Sequence, residues 1–301
     1  MTSSSRNAWF GRCLASVIAL AGLSMGPAHA QSTADLNISP KRIVFSGTNR
    51  STLVYVFNRG TTGASYAVDL SDRVMLPDGQ ILAPGDIPAD QPTAKTTADN
   101  MKSAKSMLTY TPRRVTLAPG ESQVIRVRLL PPANLAAGEY RSHLTVATLP
   151  PEDVGVTAEQ AANLGDGQLS VKVVSLIALS IPVIVRQDVA AGQPSLEGLK
   201  LERATEQGED QPAAFINLDL VRAGSGSVYG SLEVLAEKGR GKPEPIGALK
   251  GIAVYPEIGR RSVKLGLQRV PAAGEKLTVR FLDETDAGPG AVLATATLDV
   301  R

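Results

Sequence analysis

Residues 169–185 read LSVKVVSLIALSIPVIV. Odd-numbered positions from Leu169 to Val185 are apolar except Ser175, while Val174, Leu176, Ala178 and Ile184 add apolar side chains to the other parity. A period of two marks a β-strand, and a typical strand has about 5–6 residues. Two-sided burial is routine in parallel α/β sheets. A lone sandwich has little room for it, and an exposed edge of this kind invites aggregation. Periodicity leaves two accounts open. Either the segment runs through both sheets and across a domain boundary, or part of it is built to enter another polypeptide by strand addition.

Most of the chain outside this run alternates in the same way. Leu53, Tyr55 and Phe57 alternate with Val54 and Val56, which reads as a strand buried on both faces. Ile125, Val127 and Leu129 face inward while Arg126 and Arg128 face out. Tyr140, Leu144 and Val146 form one face of the next strand. Ile216, Leu218 and Leu220, then Val263, Leu265 and Leu267, then Leu277, Val279 and Phe281 repeat the pattern. Pro77-Asp78-Gly79 is a turn signal. Short strands, Gly/Pro turns and no sustained helical period predict an all-β protein of antiparallel sandwiches. Val156–Leu164 is the one weak helical pattern, inside a polar stretch read as a long interstrand loop. The chain of 301 residues suits two domains, and the small, polar stretch Gln187–Gln193 marks the boundary. Domains of 31–187 and 188–301 follow. Tyr140 enters its strand just after Gly138-Glu139, the pattern of a tyrosine corner in an immunoglobulin-like sandwich.

The first thirty residues read as a signal peptide. Arg6 and Arg12 precede the apolar run Cys13–Met25, and Ala28-His29-Ala30 is a small-x-small cleavage site. The run is short of the ~20 residues a membrane span needs. Cleavage after Ala30 lowers Lys plus Arg from 31 to 29, equal to the 29 Asp plus Glu. It also removes Cys13, Trp9 and His29, so the exported chain has no Cys, no Trp and His143 as its single histidine.

This composition removes most chemistry. A balanced charge argues against nucleic acid. Without Cys, and with one His, no thiol nucleophile or His-based metal cage can form, so no metal or cofactor is expected. His143 alternates with Leu144 and Val146 and is read as pointing to solvent, outside any triad. Gly224–Gly230 and Gly239-Arg240-Gly241 miss dinucleotide spacing and read as turns. Asp283-Glu284-Thr285-Asp286 reads as a hairpin loop. The chain is read as a non-enzyme.

Several motifs, taken in order, resemble the periplasmic pilus-assembly chaperones of the chaperone–usher pathway. They are Ile38–Phe45, the Leu53–Asn58 strand, Tyr110–Glu121 with Gln123–Arg126, Gly138–Leu144, Leu149-Pro150 and Ile181–Arg186. The second half matches more loosely, at Leu220–Gly224 and Tyr229-Gly230. The resemblance implies two immunoglobulin-like β-sandwich domains set as a boomerang. It implies a periplasmic chaperone that stabilises pilus or fimbrial subunits by donor-strand complementation and passes them to an outer-membrane usher. Val171, Val173, Ile177 and Leu179 would be the lent residues, and Arg42 the anchor for the subunit's terminal carboxylate. The second basic anchor of the family falls at Pro182, a departure similar to the archaic branch; Lys41 is a conceivable substitute but reads first as a solvated surface lysine. Arg186 would bridge the domains; the acid expected before Leu149-Pro150 is Thr148 here, so that bridge is incomplete or uses an acid of the second domain. Self-association is a way for the free protein to cover its strand. The alternative reading, an exported adhesin-like or carbohydrate-binding module, is disfavoured by the absence of Trp.

N-terminal sequencing of the exported protein should start at Gln31; a chain that keeps Met1 or Arg12 contradicts the signal-peptide reading.

Overall fold

The computed structural model describes residues 35–88, 90, 92–150, 176–205, 212–239, 241–284 and 290–301. The first half forms β1 (Leu36–Ser39), β2 (Ile43–Phe45), β3 (Ser51–Asn58), β4 (Ala64–Ser71), β5 (Val74–Met75), β6 (Ile81–Leu82), α1 (Pro92–Asp99), β7 (Leu108–Thr111), β8 (Arg114–Leu117), β9 (Ser122–Leu129), β10 (Gly138–Thr148) and β11 (Ala178–Gln187). The second forms β12 (Gln193–Thr205), β13 (Pro212–Ala223), β14 (Val228–Lys238), β15 (Glu244–Val254), β16 (Arg260–Gly266), β17 (Glu275–Asp283) and β18 (Val292–Asp299).

Alternating side chains sort these strands into two sandwiches. In the first, sheet β1-β3-β9-β7 faces sheet β2-β11-β10-β4-β8. Between them lie Ile38, Phe45, Val54, Val56, Tyr66, Ile125 and Leu144, all fully buried. In the second, sheet β12-β13-β16 faces sheet β15-β14-β17-β18 across Ile216, Leu220, Leu232, Val279 and Phe281. Arg126 and Arg128 stay exposed between Ile125, Val127 and Leu129, as a half-buried strand requires. Both sandwiches belong to one compact unit.

β3 corrects the reading of two-sided burial. Val54 and Val56 are buried, but Leu53 and Tyr55 are 39% and 42% exposed. Among the described residues no element covers the outer face of the first sheet there, so Leu53 and Tyr55 stay exposed. Tyr55 and Phe57 stack on each other, with ring centroids 6.4 Å apart.

The excursion between β4 and β7 carries a small β5–β6 hairpin, turned at Gly79 (φ +88°), and α1. α1 opens on Pro92, which needs no amide partner in a first turn. Its residues PTAKTTAD show no apolar period, so the helix gave no helical signal in the sequence. The hairpin leans on the second sandwich. Met75 joins the second core, and the Ser262 amide donates to the Pro77 carbonyl at 2.7 Å. Val156–Leu164 lies outside the described residues.

Phe281→Ala removes a fully buried ring from the second core. It should cost about 3–5 kcal/mol, read as a shift in the urea midpoint.

Candidate functional site

β11 holds two environments. It pairs antiparallel with β10 along Ala178–Gln187, from Gly138↔Gln187 to Ala147↔Ala178. On its other side, β2 pairs in parallel with Val183–Val185 alone. Among the described residues, Ala178–Pro182 therefore have no strand on that edge. Ile181, Val183 and Val185 fill the first core. Leu179 and Ile177 sit half-buried against the same core, and Leu176 is 55% exposed. Ala178, Ser180 and Pro182 face the opposite way and line a cavity of about 640 Å3. Val171 and Val173 lie outside the described residues.

That cavity is bounded by both sandwiches. Arg42, Arg73 and His143 come from the first, and Tyr229, Lys250 and Tyr255 from the second. Arg42 stands immediately before β2. Its Nη2 donates to Ser227 Oγ at 3.1 Å, and its guanidinium lies 4.5 Å from the centre of the Tyr229 ring. Nε and Nη1 of Arg42 are buried without a partner. Burial pulls the Arg42 pKa below the ordinary guanidinium value; Tyr255 opposes this and Arg186 adds to it. An arginine keeps its charge through such a shift. Arg42 thus brings a charge to the cavity wall, with two unpaired nitrogens buried behind it.

Below it lie two ion pairs, one within the first sandwich that reaches the second through Ser227 and one that crosses directly. Arg186 Nε donates to Glu139 Oε2 at 2.9 Å. Its Nη2 crosses to the carbonyl and hydroxyl of Ser227, at 3.1 and 3.2 Å. The Ser227 amide donates to the same Glu139 Oε2 at 2.9 Å. The acid beside Arg186 is therefore on the neighbouring strand of its own sandwich, neither at Thr148 nor in the second domain. β10 pairs Glu139 directly with Arg186, which brings the two onto one face. Sequence reasoning passed over Glu139 because Arg186 lies 47 residues away.

The second pair, Arg141 with Glu257, is the true cross-sandwich ion pair. Arg141 grips Glu257 with both Nη atoms, Nη1 to Oε2 at 3.0 Å. Its guanidinium lies 3.7 Å from the centre of the Tyr255 ring. The Met75 amide donates to Glu257 Oε1 at 3.0 Å. Neither Arg141 nor Glu257 was singled out in the sequence. Tyr140 Oη donates to the Ala136 carbonyl at 3.0 Å, four residues upstream, fixing the entry to β10.

His143 is buried, 3% exposed, which corrects the solvent-facing reading. It does point away from Leu144 and Val146. That side of β10 is roofed by the second sandwich instead of water. Burial lowers its pKa to about 3, and Arg141 and Arg73 push the same way.

No family model and no curated protein matches this sequence. Among solved structures, the chain is similar to the YadV chaperone, with TM-score 0.41 and 15% identity over 88% of this chain and 98% of that one. It is similar to the Escherichia coli chaperone DraB, with TM-score 0.41 and 14% identity over 89% and 98%. It is also similar to the CsuC–CsuE chaperone–tip adhesion subunit complex of Acinetobacter baumannii, with TM-score 0.41 and 15% identity over 89% and 100%. All three are chaperone structures.

The His143 shift has a stability consequence. The folded imidazole resists protonation until about pH 3, whereas the unfolded one takes a proton near pH 6.5. The unfolded state binds more protons in that window, so stability falls as pH drops through it. In urea titrations at a series of pH values, His143→Gln should lose a smaller fraction of its stability between pH 6.5 and 4 than the wild type.

Proposed function

We propose that the protein is a periplasmic chaperone that captures pilus or fimbrial subunits by lending them a strand. The observation that carries this reading is the open edge of β11 at Ala178–Pro182, beside a buried arginine with unused donors. An incomplete sandwich missing one strand has the complementary need. Pairing supplies main-chain hydrogen bonds, and alternate side chains enter the partner's core. Leu179 and Ile177 continue the parity of Ile181 and Val183 but leave the sealed part of the core there. In the sequence, Val173 and Val171 share their parity, and this reading assigns them to the same lent row. A strand of the subunit, paired along this edge towards the cleft, would bring its terminal carboxylate to Arg42. A guanidinium donates charge-assisted bonds to a carboxylate, and Nε and Nη1 of Arg42, on different edges of the group, are its unused donors.

In this reading the domains are 31–187 and 188–301, and Arg186 ties them. The chaperone acts in the periplasm after cleavage at Ala30, as a binding protein without turnover or cofactor. An outer-membrane usher receives the loaded complex. No helix among the described residues is long and apolar enough to cross a membrane.

The test is capture of a subunit co-expressed in the periplasm from a gene beside this one. Val173→Asp should abolish co-purification while the melting temperature of the free protein stays put. Arg42→Ala should weaken capture about tenfold or more, the effect of losing one sheltered charge-assisted bond. Undiminished capture by Val173→Asp would remove the lent-strand reading; undiminished capture by Arg42→Ala would place the carboxylate elsewhere.

A further inference from the structure

The cavity that Arg42 lines contains more unused donors than one arginine. Nε of Arg73 and Nδ1 of His143 are also buried without partners, and both side chains line the same space. Buried polar atoms in a native fold are almost always paired, so a cluster of exceptions marks a place kept for a ligand or an ordered water. Two of the acids near it are ion-paired, Glu257 with Arg141 and Glu139 with Arg186; Glu284, also in the lining, accepts the Gly251 amide at 2.8 Å and keeps its charge. Lys41 and Lys250 add to the positive side of the lining.

The placement of this cluster follows from sheet register. Ser71 of β4 pairs with His143 of β10, and His143 pairs with Pro182 of β11. These three residues form one row across the sheet, on one face. Pro182 has no amide proton and no polar side chain, so the β11 end of the row offers a ligand nothing to bond. His143 stands next to it. Arg73 follows β4 by two residues, and its backbone is pinned because its carbonyl accepts Arg141 Nη2 at 2.8 Å. The second arm of the site is displaced from β11 onto the neighbouring strands.

We infer that Arg73 and His143 form a second arm of the cleft's anion site, so that a chain-terminal carboxylate is held between them and Arg42. This rests on the chaperone reading above and names residues for its cleft that no motif supplied. The ligand class is a peptide ending in a free carboxylate, because a strand paired along Ala178–Pro182 leads into this cavity. Arg73 supplies charge and His143 a neutral hydrogen-bond donor. A guanidinium pair alone would take any carboxylate, whereas a fixed imidazole in a narrow row also demands a set orientation.

The experiment uses the untagged full chain and a decapeptide of alternating Val and Thr with lysine at its N-terminus. The peptide is made twice, with a free C-terminal carboxylate and as the C-terminal amide. Wild type should prefer the acid by about tenfold or more. Arg73→Ala and His143→Gln should each cut that preference at least threefold while leaving affinity for the amide unchanged. In 15N spectra at pH 7, the imidazole signal lost in His143→Gln should shift with the acid peptide and not with the amide. Melting temperatures identify any variant that fails to fold, and His143→Asn and Arg73→Lys then repeat the measurement. An acid preference abolished by Arg42→Ala but untouched by the Arg73 and His143 variants would overturn this inference and leave the Arg42 anchor standing. Equal binding of acid and amide, or no binding of the acid, would overturn both.

Discussion

The cleft exists because Arg186, Glu139 and Ser227 hold the two sandwiches in one relation. Glu139 is fully buried and accepts from a side chain of its own sheet and from a main-chain amide of the other sandwich. Arg141 and Glu257 repeat the device under Tyr255. Buried ion pairs of this kind add little net stability, since desolvation cancels much of the attraction. Removing one partner, however, leaves a buried charge and costs about 3–5 kcal/mol. Their effect is therefore on geometry. Relative motion of the sandwiches would part Arg141 from Glu257 and Ser227 from both Glu139 and Arg186, leaving two buried charges unpaired, so the lining of the cavity stays in register.

β11 is where that fixed geometry meets a strand with two uses. Val183–Val185 are paired on both sides and sealed; among the described residues, Ala178–Pro182 are paired on one side. The same side-chain parity serves both halves. Val183 and Val185 have a core to enter, while Leu179 and Ile177 are only half covered. The opposite parity is polar or small at Ser180 and Ala178, then apolar at Ile184, which joins the second core with Val44. The unusual two-sided apolarity of the sequence thus has two separate causes. One is the contact between sandwiches at Ile184, and the other, among the described residues, is Leu176 of the same parity, which stays exposed.

What could be read from the sequence was set by distance along the chain. Ile125, Val127 and Leu129 declare their face because a strand repeats every two residues, and the neighbours alone decide the pattern. The turn at Gly79 is local in the same sense. His143 was misread because its surroundings are not local: the roof over β10 comes from Tyr255 and from Arg73. Glu139 and Glu257 were invisible for that reason too, with partners 47 and 116 residues away. Arg42 was legible through a motif, but its unused donors were not, since they depend on Ser227 and Tyr229 of the other sandwich.

Ser227 explains why the excess charge sits at Arg42. Its hydroxyl oxygen receives Arg42 at 3.1 Å and Arg186 at 3.2 Å, so two guanidinium groups converge on one neutral acceptor. Arg186 is balanced by Glu139. Arg42 has no carboxylate within ion-pair distance among the described residues, and relies on the Tyr229 ring and the field of Glu139. A buried cation held this way is poorly compensated, and the deficit has one sign. An incoming carboxylate is the group that removes it, whereas a second cation or a neutral strand end leaves it in place. The lock between the sandwiches and the lining of the cleft are therefore one arrangement of charge: Arg42, Arg73, Arg141, Arg186 and His143 around Glu139 and Glu257, both acids already engaged.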